Sequence, residues 1–108
     1  MQWNARGLMK NRYELRNYLL KTNRPPEIIC IQETLLRHKT KDQKLDCYAI
    51  LHKDHKDNKP RGGLAILVKN GLNYTLKSTP EIPDAENQAI EVKTRAGPLQ
   101  IINIYIHQ

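Results

Sequence analysis

The sequence predicts an α/β protein in which one β-α-β unit is followed by an antiparallel β-meander. Two observations lead to this prediction. Apolar residues recur at helical spacing over residues 11–22, between two segments, 1–4 and 27–31, whose composition is typical of strands. After residue 46, short apolar or alternating segments are separated by turn-forming residues, which is typical of antiparallel strands. With 108 residues, the chain is one domain at most.

The first strand is predicted to end at Asn4, and Gly7 in the turn that follows can adopt a positive φ. Asn11 and Glu14 have the spacing of a capping box, which predicts that the helix begins at Asn11. The prolines at 25–26 end this helix, because proline cannot continue it and restricts the residue before it. The predicted apolar stripe of the helix consists of Leu15, Tyr18, Leu19 and Thr22.

Residues 27–31 are too few for a helix and are predicted to form a central strand buried on both faces. Within this strand, Cys30 is predicted to be a small core residue. The strand–helix–strand order predicts that Trp3 and Ile29 lie in neighbouring strands of one sheet. The same strand leads into Glu33, whose carboxylate is costly to desolvate unless a partner compensates for the lost water. Full burial is expected for the four apolar residues Ile28, Ile29, Cys30 and Ile31.

Five further strands are predicted downstream. Two of them, 64–69 and 73–78, are predicted to pair as a hairpin, because Asn70-Gly71 between them is a turn signal. The last two are predicted to pair through a turn at residues 95–97, and the alternation in the first of them indicates a half-buried strand. The five segments are 47–51, 64–69, 73–78, 89–94 and 99–106.

The net charge of +7 is unevenly distributed. Residues 1–61 contain 14 Lys+Arg against 7 Asp+Glu, whereas residues 62–108 contain 4 of each. This basic first part favours a polyanionic partner such as nucleic acid, although a solvated basic surface without a partner explains the charge equally well. Two cysteines do not make a disulfide framework, and no apolar stretch is long enough to cross a membrane. We expect an intracellular protein that has no membrane partner and needs no obligate protein partner.

Three side chains at predicted strand ends suggest a phosphate site. Asn4, Glu33 and Tyr105 would meet there, because ligands of such sheets gather at the carboxyl ends of strands. A carboxylate and an amide oxygen suit Mg²⁺, and a phenol can donate a hydrogen bond to a phosphate oxygen. Each residue also has a plainer explanation: Glu33 as a solvent-facing strand end, Tyr105 as a core aromatic, and Asn4 as a turn residue that caps its own backbone.

A zinc site at Cys47, His52 and His55 is a weaker alternative. The Cys-x₄-His-x₂-His spacing lacks the paired ligands of structural zinc sites, and no fourth ligand is evident.

Four segments, WNARGL, CIQET, RGGLAILVK and IINIY, follow one another in an order that resembles the endonuclease/exonuclease/phosphatase superfamily, which has the DNase I-like fold. More narrowly, the chain resembles the endonuclease domain that precedes the reverse transcriptase of jockey-type non-LTR retrotransposons. The resemblance covers nearly the whole chain. It implies an α/β sandwich of which residues 1–108 are a partial domain, truncated at the C-terminus and at the N-terminus.

The resemblance also implies a role for individual residues. Glu33 would coordinate the catalytic Mg²⁺, for which Mn²⁺ could substitute, and Asn4 would lie in the metal and phosphate site. Tyr105 would approach the scissile phosphate, with Asn103 in the same motif. The implied reaction is metal-assisted hydrolysis of a DNA phosphodiester. The intact element, which is expected in the nucleus, would use this reaction to nick its target site. The candidate contacts to the DNA phosphate backbone are Arg6 and Arg61.

Departures from the family pattern keep other functions open. Arg6 stands where several relatives carry an acidic residue, and the family's Asp-x-Asn and Ser-Asp-His motifs do not occur after Tyr105. We therefore expect these 108 residues to be inactive by themselves. The alternatives are a nucleic-acid-binding remnant without catalysis and a phosphatase of the same superfamily.

Overall fold

A computed structural model describes residues 1–36, 45, 47–54 and 62–106. One helix and seven strands form two sheets, a four-stranded sheet in the order β1-β2-β4-β3 and a three-stranded sheet in the order β5-β6-β7. The α/β class is therefore confirmed. The elements are β1 (Gln2–Asn4), α1 (Leu8–Lys21), β2 (Ile28–Gln32), β3 (Tyr48–Lys53), β4 (Leu64–Lys69), β5 (Tyr74–Lys77), β6 (Ala85–Thr94) and β7 (Gly97–Ile106).

The β-α-β unit is present as predicted. Strands β1 and β2 are parallel neighbours, with Trp3 opposite Ile31, and α1 connects them. Ile29 and Ile31 are fully buried in a core cluster that also contains Leu8 and Leu15 of α1. Helix α1 thus buries one face of the four-stranded sheet, and the apolar run of β2 supplies the matching surface.

A second apolar cluster fills the space between the two sheets. Ile66 and Val68 of β4 meet Ile90 and Val92 of β6 there, and all four are at most 4% exposed. Ile28 and Cys30 pack against this cluster but are only half-buried, so the prediction of full burial was wrong for these two residues. Strand β2 is nevertheless covered on both faces, because its alternate side chains enter the two clusters. Burial raises the pKa of the Cys30 thiol, as expected for a core cysteine.

The predicted start of the helix was wrong. Helix α1 begins at Leu8, preceded by Gly7 with φ 106°, and the capping box does not form. Its first amides are satisfied by the loop after β2, since Gly7 N–H donates to Glu33 O and Leu8 N–H to Thr34 O, both at 2.8 Å. The Asn11 side chain instead donates to Ala5 O at 2.7 Å. Tertiary hydrogen bonds therefore replace the local cap.

The apolar stripe of α1 is also narrower than predicted. Leu15 is buried and Leu19 is half-buried, but Tyr18 is 51% exposed and Thr22 is the C-cap, its hydroxyl donating to Tyr18 O.

The predicted hairpin between β4 and β5 was wrong as well. Strand β4 lies between β2 and β3, whereas β5 pairs with β6 in the other sheet. The turn at Asn70-Gly71 exists, with φ 99° at Gly71, but it carries the chain from one sheet to the other. Burial explains the difference: β4 is buried over five consecutive residues and needs cover on both sides, whereas all four residues of β5 are exposed.

The prediction of an antiparallel meander was correct for β5-β6-β7, although β6 begins four residues earlier than predicted. Within the described part of the chain, no helix has the length and apolar character needed to cross a membrane.

Candidate active site

The loop after β2 is joined to the loop after β1. Ala5 N–H donates to Gln32 O at 2.8 Å, extending the parallel pairing by one residue beyond the strands. Gly7 N–H then holds Glu33 O, and Glu33 itself has φ 55°, a conformation that is uncommon outside glycine. The carboxyl ends of β1 and β2 are therefore tied together, and Glu33 is held in a strained backbone conformation between them.

Glu33 and Tyr105 are brought into direct contact although 72 residues separate them. The Tyr105 hydroxyl donates to Glu33 Oε1 at 3.0 Å, and both side chains are half-buried. This hydrogen bond raises the pKa of Tyr105, and partial burial and the negative charges of Glu33 and Glu86 act in the same direction. The phenol therefore stays protonated at neutral pH and remains a hydrogen-bond donor.

Asn4 lies on the same side of the molecule as Tyr105. It is exposed, and its Oδ1 accepts a hydrogen bond from Arg6 N–H at 3.2 Å, the local cap that the plainer explanation anticipated. Asn4 and Tyr105 share an open groove of about 830 Å³. The remaining lining residues are Gln2, Gln32, Ile104 and Ile106. The groove thus joins two of the predicted site residues, and Tyr105 connects it to the third.

Asn103 lies behind this groove, in a buried network of amides. It is 2% exposed, and the two hydrogens of its Nδ2 are shared among three acceptors: Ile31 O at 3.0 Å, Ala65 O at 3.1 Å and Gln88 Oε1 at 3.1 Å. Its Oδ1 accepts from Gln32 Nε2 at 2.6 Å. One side chain of the three-stranded sheet is therefore bonded to β2 and β4 of the other sheet, including Gln32, the residue before Glu33.

Sequence reasoning missed a cluster around Gly63. Its amide donates to Glu86 Oε1 at 2.8 Å, and Glu86 stands opposite Tyr105 in the β6–β7 pairing. A Cβ on Gly63 would overlap the Thr34 hydroxyl, so a residue with a side chain would push the two loops apart. Thr34 is 1% exposed, and its hydroxyl has no hydrogen-bond partner among the described residues. Glu86 went unnoticed because it precedes the predicted start of its strand.

Other candidates lie away from these contacts. Arg6 is exposed beside the site, whereas Arg61 and His55 lie outside the described residues. Cys47 is exposed, and His52 Nδ1 pairs with Asp54 Oδ1 at 2.9 Å. Across residues 1–36, 45, 47–54 and 62–106, no group of three or more His, Cys, Asp and Glu side chains is placed to hold a metal ion. The zinc hypothesis therefore has no support among the residues that the structure describes.

The two-sheet sandwich and the order of its sequence motifs match one known protein family. The chain belongs to the Endonuclease/Exonuclease/phosphatase family, whose profile matches residues 1–103.

Particular relatives are consistent with this assignment. Over 104 residues the chain is 26% identical to the RNA-directed DNA polymerase from mobile element jockey of Drosophila melanogaster, covering 96% of this chain and 11% of that protein. The catalytic domain of APE2 from Xenopus laevis has a similar structure, with a TM-score of 0.64 and 18% identity, over 96% of this chain and 43% of that one.

A third similar protein is the 3′ phosphatase NExo from Neisseria, solved with a product DNA hairpin. Its TM-score is 0.58 at 20% identity, over 96% of this chain and 39% of that one. At these identities the two structures show the DNase I-like fold. The chain spans about a tenth of the jockey protein and about two fifths of the two solved structures.

Proposed function

We propose that this chain contributes the first half of the active site of a divalent-metal-dependent DNA endonuclease, the target-nicking domain of a retrotransposon polyprotein. The observation that carries the proposal is the hydrogen bond between Tyr105 and Glu33, which joins the last strand to the loop after β2. Family membership supports hydrolysis of a phosphate ester, and the similarity to the jockey protein supports the retrotransposon context.

The donor set fits a hard divalent cation. Glu33 offers a carboxylate and Asn4 an amide oxygen, and Mg²⁺ or Mn²⁺ at such sites is held by one or two carboxylates together with water and substrate phosphate. Glu33 would be the main protein ligand, with Asn4 beside it. When bound, the metal would neutralise charge on the phosphate and activate water.

The chain's own residues would position the phosphate and stabilise its developing charge. Tyr105 keeps its proton at neutral pH, so its hydroxyl can donate to a phosphate oxygen when substrate displaces its bond to Glu33. Asn103 would act indirectly, as a positioning residue, because its bonds to Ile31 O and Gln32 set the separation of Glu33 and Tyr105. Arg6, exposed at the rim, would contact the phosphate backbone.

A metal-binding experiment tests the first step without requiring turnover. In an NMR titration, Mn²⁺ should broaden the amide signals of Glu33, Asn4 and Tyr105 before all others. Glu33→Gln should abolish this selective broadening, and the control Glu91→Gln, a partly exposed carboxylate on β6, should leave it unchanged. Broadening that persists in Glu33→Gln would contradict the assignment of the ligand.

Hydrolysis requires a chimera, because we expect the chain alone to nick plasmid at background level. Residues 1–108 would replace the matching segment of the jockey domain, and Mg²⁺-dependent nicking of supercoiled plasmid would be measured. Glu33→Gln should reduce the rate roughly a thousandfold, since several kcal/mol of metal-derived stabilisation is lost. Tyr105→Phe should reduce it about a hundredfold. A folded chimera without nicking would refute the proposal.

Two other functions can be tested with the same chimera. Salt-dependent DNA binding without metal-dependent nicking would indicate a binding remnant. Release of phosphate from a 3′-phosphorylated oligonucleotide, without nicking, would indicate a phosphatase; this candidate is kept because NExo, which has a similar fold, is a 3′ phosphatase.

A further inference from the structure

The side of α1 that faces away from the core has an unusual composition. Lys10, Tyr13, Asn17 and Lys21 recur at the spacing i, i+3, i+7, i+11, so they lie along one line of the helix. All four are exposed, on the side opposite the buried Leu15. We call these four residues the outer face of α1.

This helix holds all the excess positive charge of the described residues. They contain eleven Lys+Arg and eight Asp+Glu, a balance of +3, and α1 alone contains four Lys+Arg and one Glu, again +3. The rest of the described chain is neutral. The charge complementary to this helix is therefore that of a polyanion.

An exposed aromatic ring lies within the same face. Tyr13 is 59% exposed, and the Arg12 guanidinium lies 5.0 Å from its ring centroid while donating to its hydroxyl at 3.2 Å. This guanidinium lowers the pKa of Tyr13 through the hydrogen bond and its charge. Exposed rings flanked by cations are the elements with which proteins bind single-stranded nucleic acid: the base stacks on the ring, and the cations hold the phosphates.

The N-terminus of α1 is joined to the site. Helix α1 begins four residues after Asn4, and the amides of Gly7 and Leu8 are bonded to the loop that carries Glu33. Lys10 is in the first turn, and Lys21 lies about 16 Å farther along the helix axis at 1.5 Å per residue. The helix therefore runs away from the site, starting from the end that is bonded to the Glu33 loop.

We propose that the outer face of α1 is a binding track for single-stranded nucleic acid, with Tyr13 as the stacking platform and Lys10 and Lys21 as phosphate contacts. This inference rests on the proposed function only for its partner class. It assigns a surface that takes no part in hydrolysis and would hold a strand flanking the site.

The test is equilibrium binding of the full chain to a fluorescein-labelled oligothymidylate in EDTA, followed by fluorescence anisotropy over a range of salt. Tyr13→Ala should weaken binding about fivefold or more, and Tyr13→Phe, which keeps the ring, should bind like the wild type. The double variant Lys10→Gln/Lys21→Gln should lower the slope of log K against log salt by about 1.4, since two phosphate contacts are lost.

A matched control comes from the other sheet, where Tyr74 and Lys77 of β5 are also exposed. Tyr74→Ala and Lys77→Gln should leave binding unchanged. The proposal is wrong if these controls lose as much affinity as the α1 variants, if Tyr13→Phe is as weak as Tyr13→Ala, or if no α1 variant loses affinity. Because EDTA prevents hydrolysis, the result does not depend on nicking.

Discussion

The inner face of the β6–β7 hairpin changes character along its length. At the end near the turn, the cross-strand pairs are aliphatic, Val92 with Leu99 and Ile90 with Ile101; toward the site they become Gln88 with Asn103 and then Glu86 with Tyr105. Val92, Ile90 and Ile101 face an apolar cluster, and the last two pairs face hydrogen-bond partners in the other sheet and its loops. Burial of aliphatic groups is non-directional, whereas hydrogen bonds specify distances and directions. The hairpin therefore gains stability at one end and positions the site at the other.

The largest effect is expected at the aliphatic end. Ile90 is 1% exposed, so Ile90→Ala should lower the free energy of unfolding by about 2–5 kcal/mol, through lost burial and the cavity left behind. Ile102→Ala, on the other face of β7 where the side chain is 57% exposed, should cost less than about 1 kcal/mol. Urea unfolding followed by circular dichroism measures both, and equal losses would contradict the assignment of faces.

A substitution at Gly63 should disturb the loops at the site. Gly63→Ala places a residue with a side chain at φ 91° and pushes its Cβ into the Thr34 hydroxyl, for an expected cost of about 2–4 kcal/mol. Gly97→Ala has φ 120° but no atom within 4 Å, so it should show the backbone cost alone. Thr34→Ala in the Gly63→Ala background should recover part of the loss, and no recovery would mean that the overlap is not responsible.

Loss of the amide network should cost less stability but should alter the site. Asn103→Leu leaves Gln32 without its acceptor and removes the donor to Ile31 O, for about 1–3 kcal/mol. The double variant Asn103→Leu/Gln32→Leu should be less destabilised than the sum of the single variants, because replacing both partners removes the unsatisfied groups. Additive effects in this cycle would show that the two side chains do not depend on each other.

The smallest effect on folding is expected at Tyr105, where the informative measurement is its titration. Its pKa should be above that of an ordinary tyrosine, and Glu33→Gln should bring it back toward that value, because the hydrogen bond to the carboxylate is the main cause. Tyr13 should titrate below the ordinary value, since Arg12 acts in the opposite direction. NMR of labelled tyrosine measures both pKa values. Shifts of the same sign would contradict the assignment of an acidic neighbour to Tyr105 and a basic neighbour to Tyr13.

This titration has a consequence for stability at alkaline pH. A pKa that is higher in the folded chain than in the unfolded one favours folding at pH values below the unfolded pKa. The contribution of Tyr105 is therefore complete at neutral pH and is lost as the pH rises through its folded pKa. Tyr105→Phe should remove this dependence.

Local patterns predicted the elements better than their partners. The β-α-β unit, the hairpin β6–β7 and the positive φ at Gly7 follow from apolar spacing and turn residues, which act over a few positions. The start of α1 and the pairing of β4 did not follow from local patterns, because each depends on groups distant in sequence. The start of α1 depends on the carbonyls of Glu33 and Thr34, and the pairing of β4 depends on its two flanking strands. The site divides in the same way. Asn4, Glu33 and Tyr105 were candidates from their places at strand ends, whereas Glu86, and the contacts of Gly63 in the RGGLAILVK segment, became visible only in the folded structure.

The sequence by itself determined the α/β class, the apolar stretches that must be buried, the basic first part of the chain and the family to which it belongs. Tertiary structure alone decided that β4 and β5 belong to different sheets and that Asn103 bonds to β2 and β4. It also decided that a phenol donates a hydrogen bond, at 3.0 Å, to a carboxylate 72 residues away. The physical reason is the distance along the chain over which each kind of information acts. Spacing encodes which side chains need cover, but the hydrogen-bond partner of a buried amide or phenol is chosen only when distant strands are packed together.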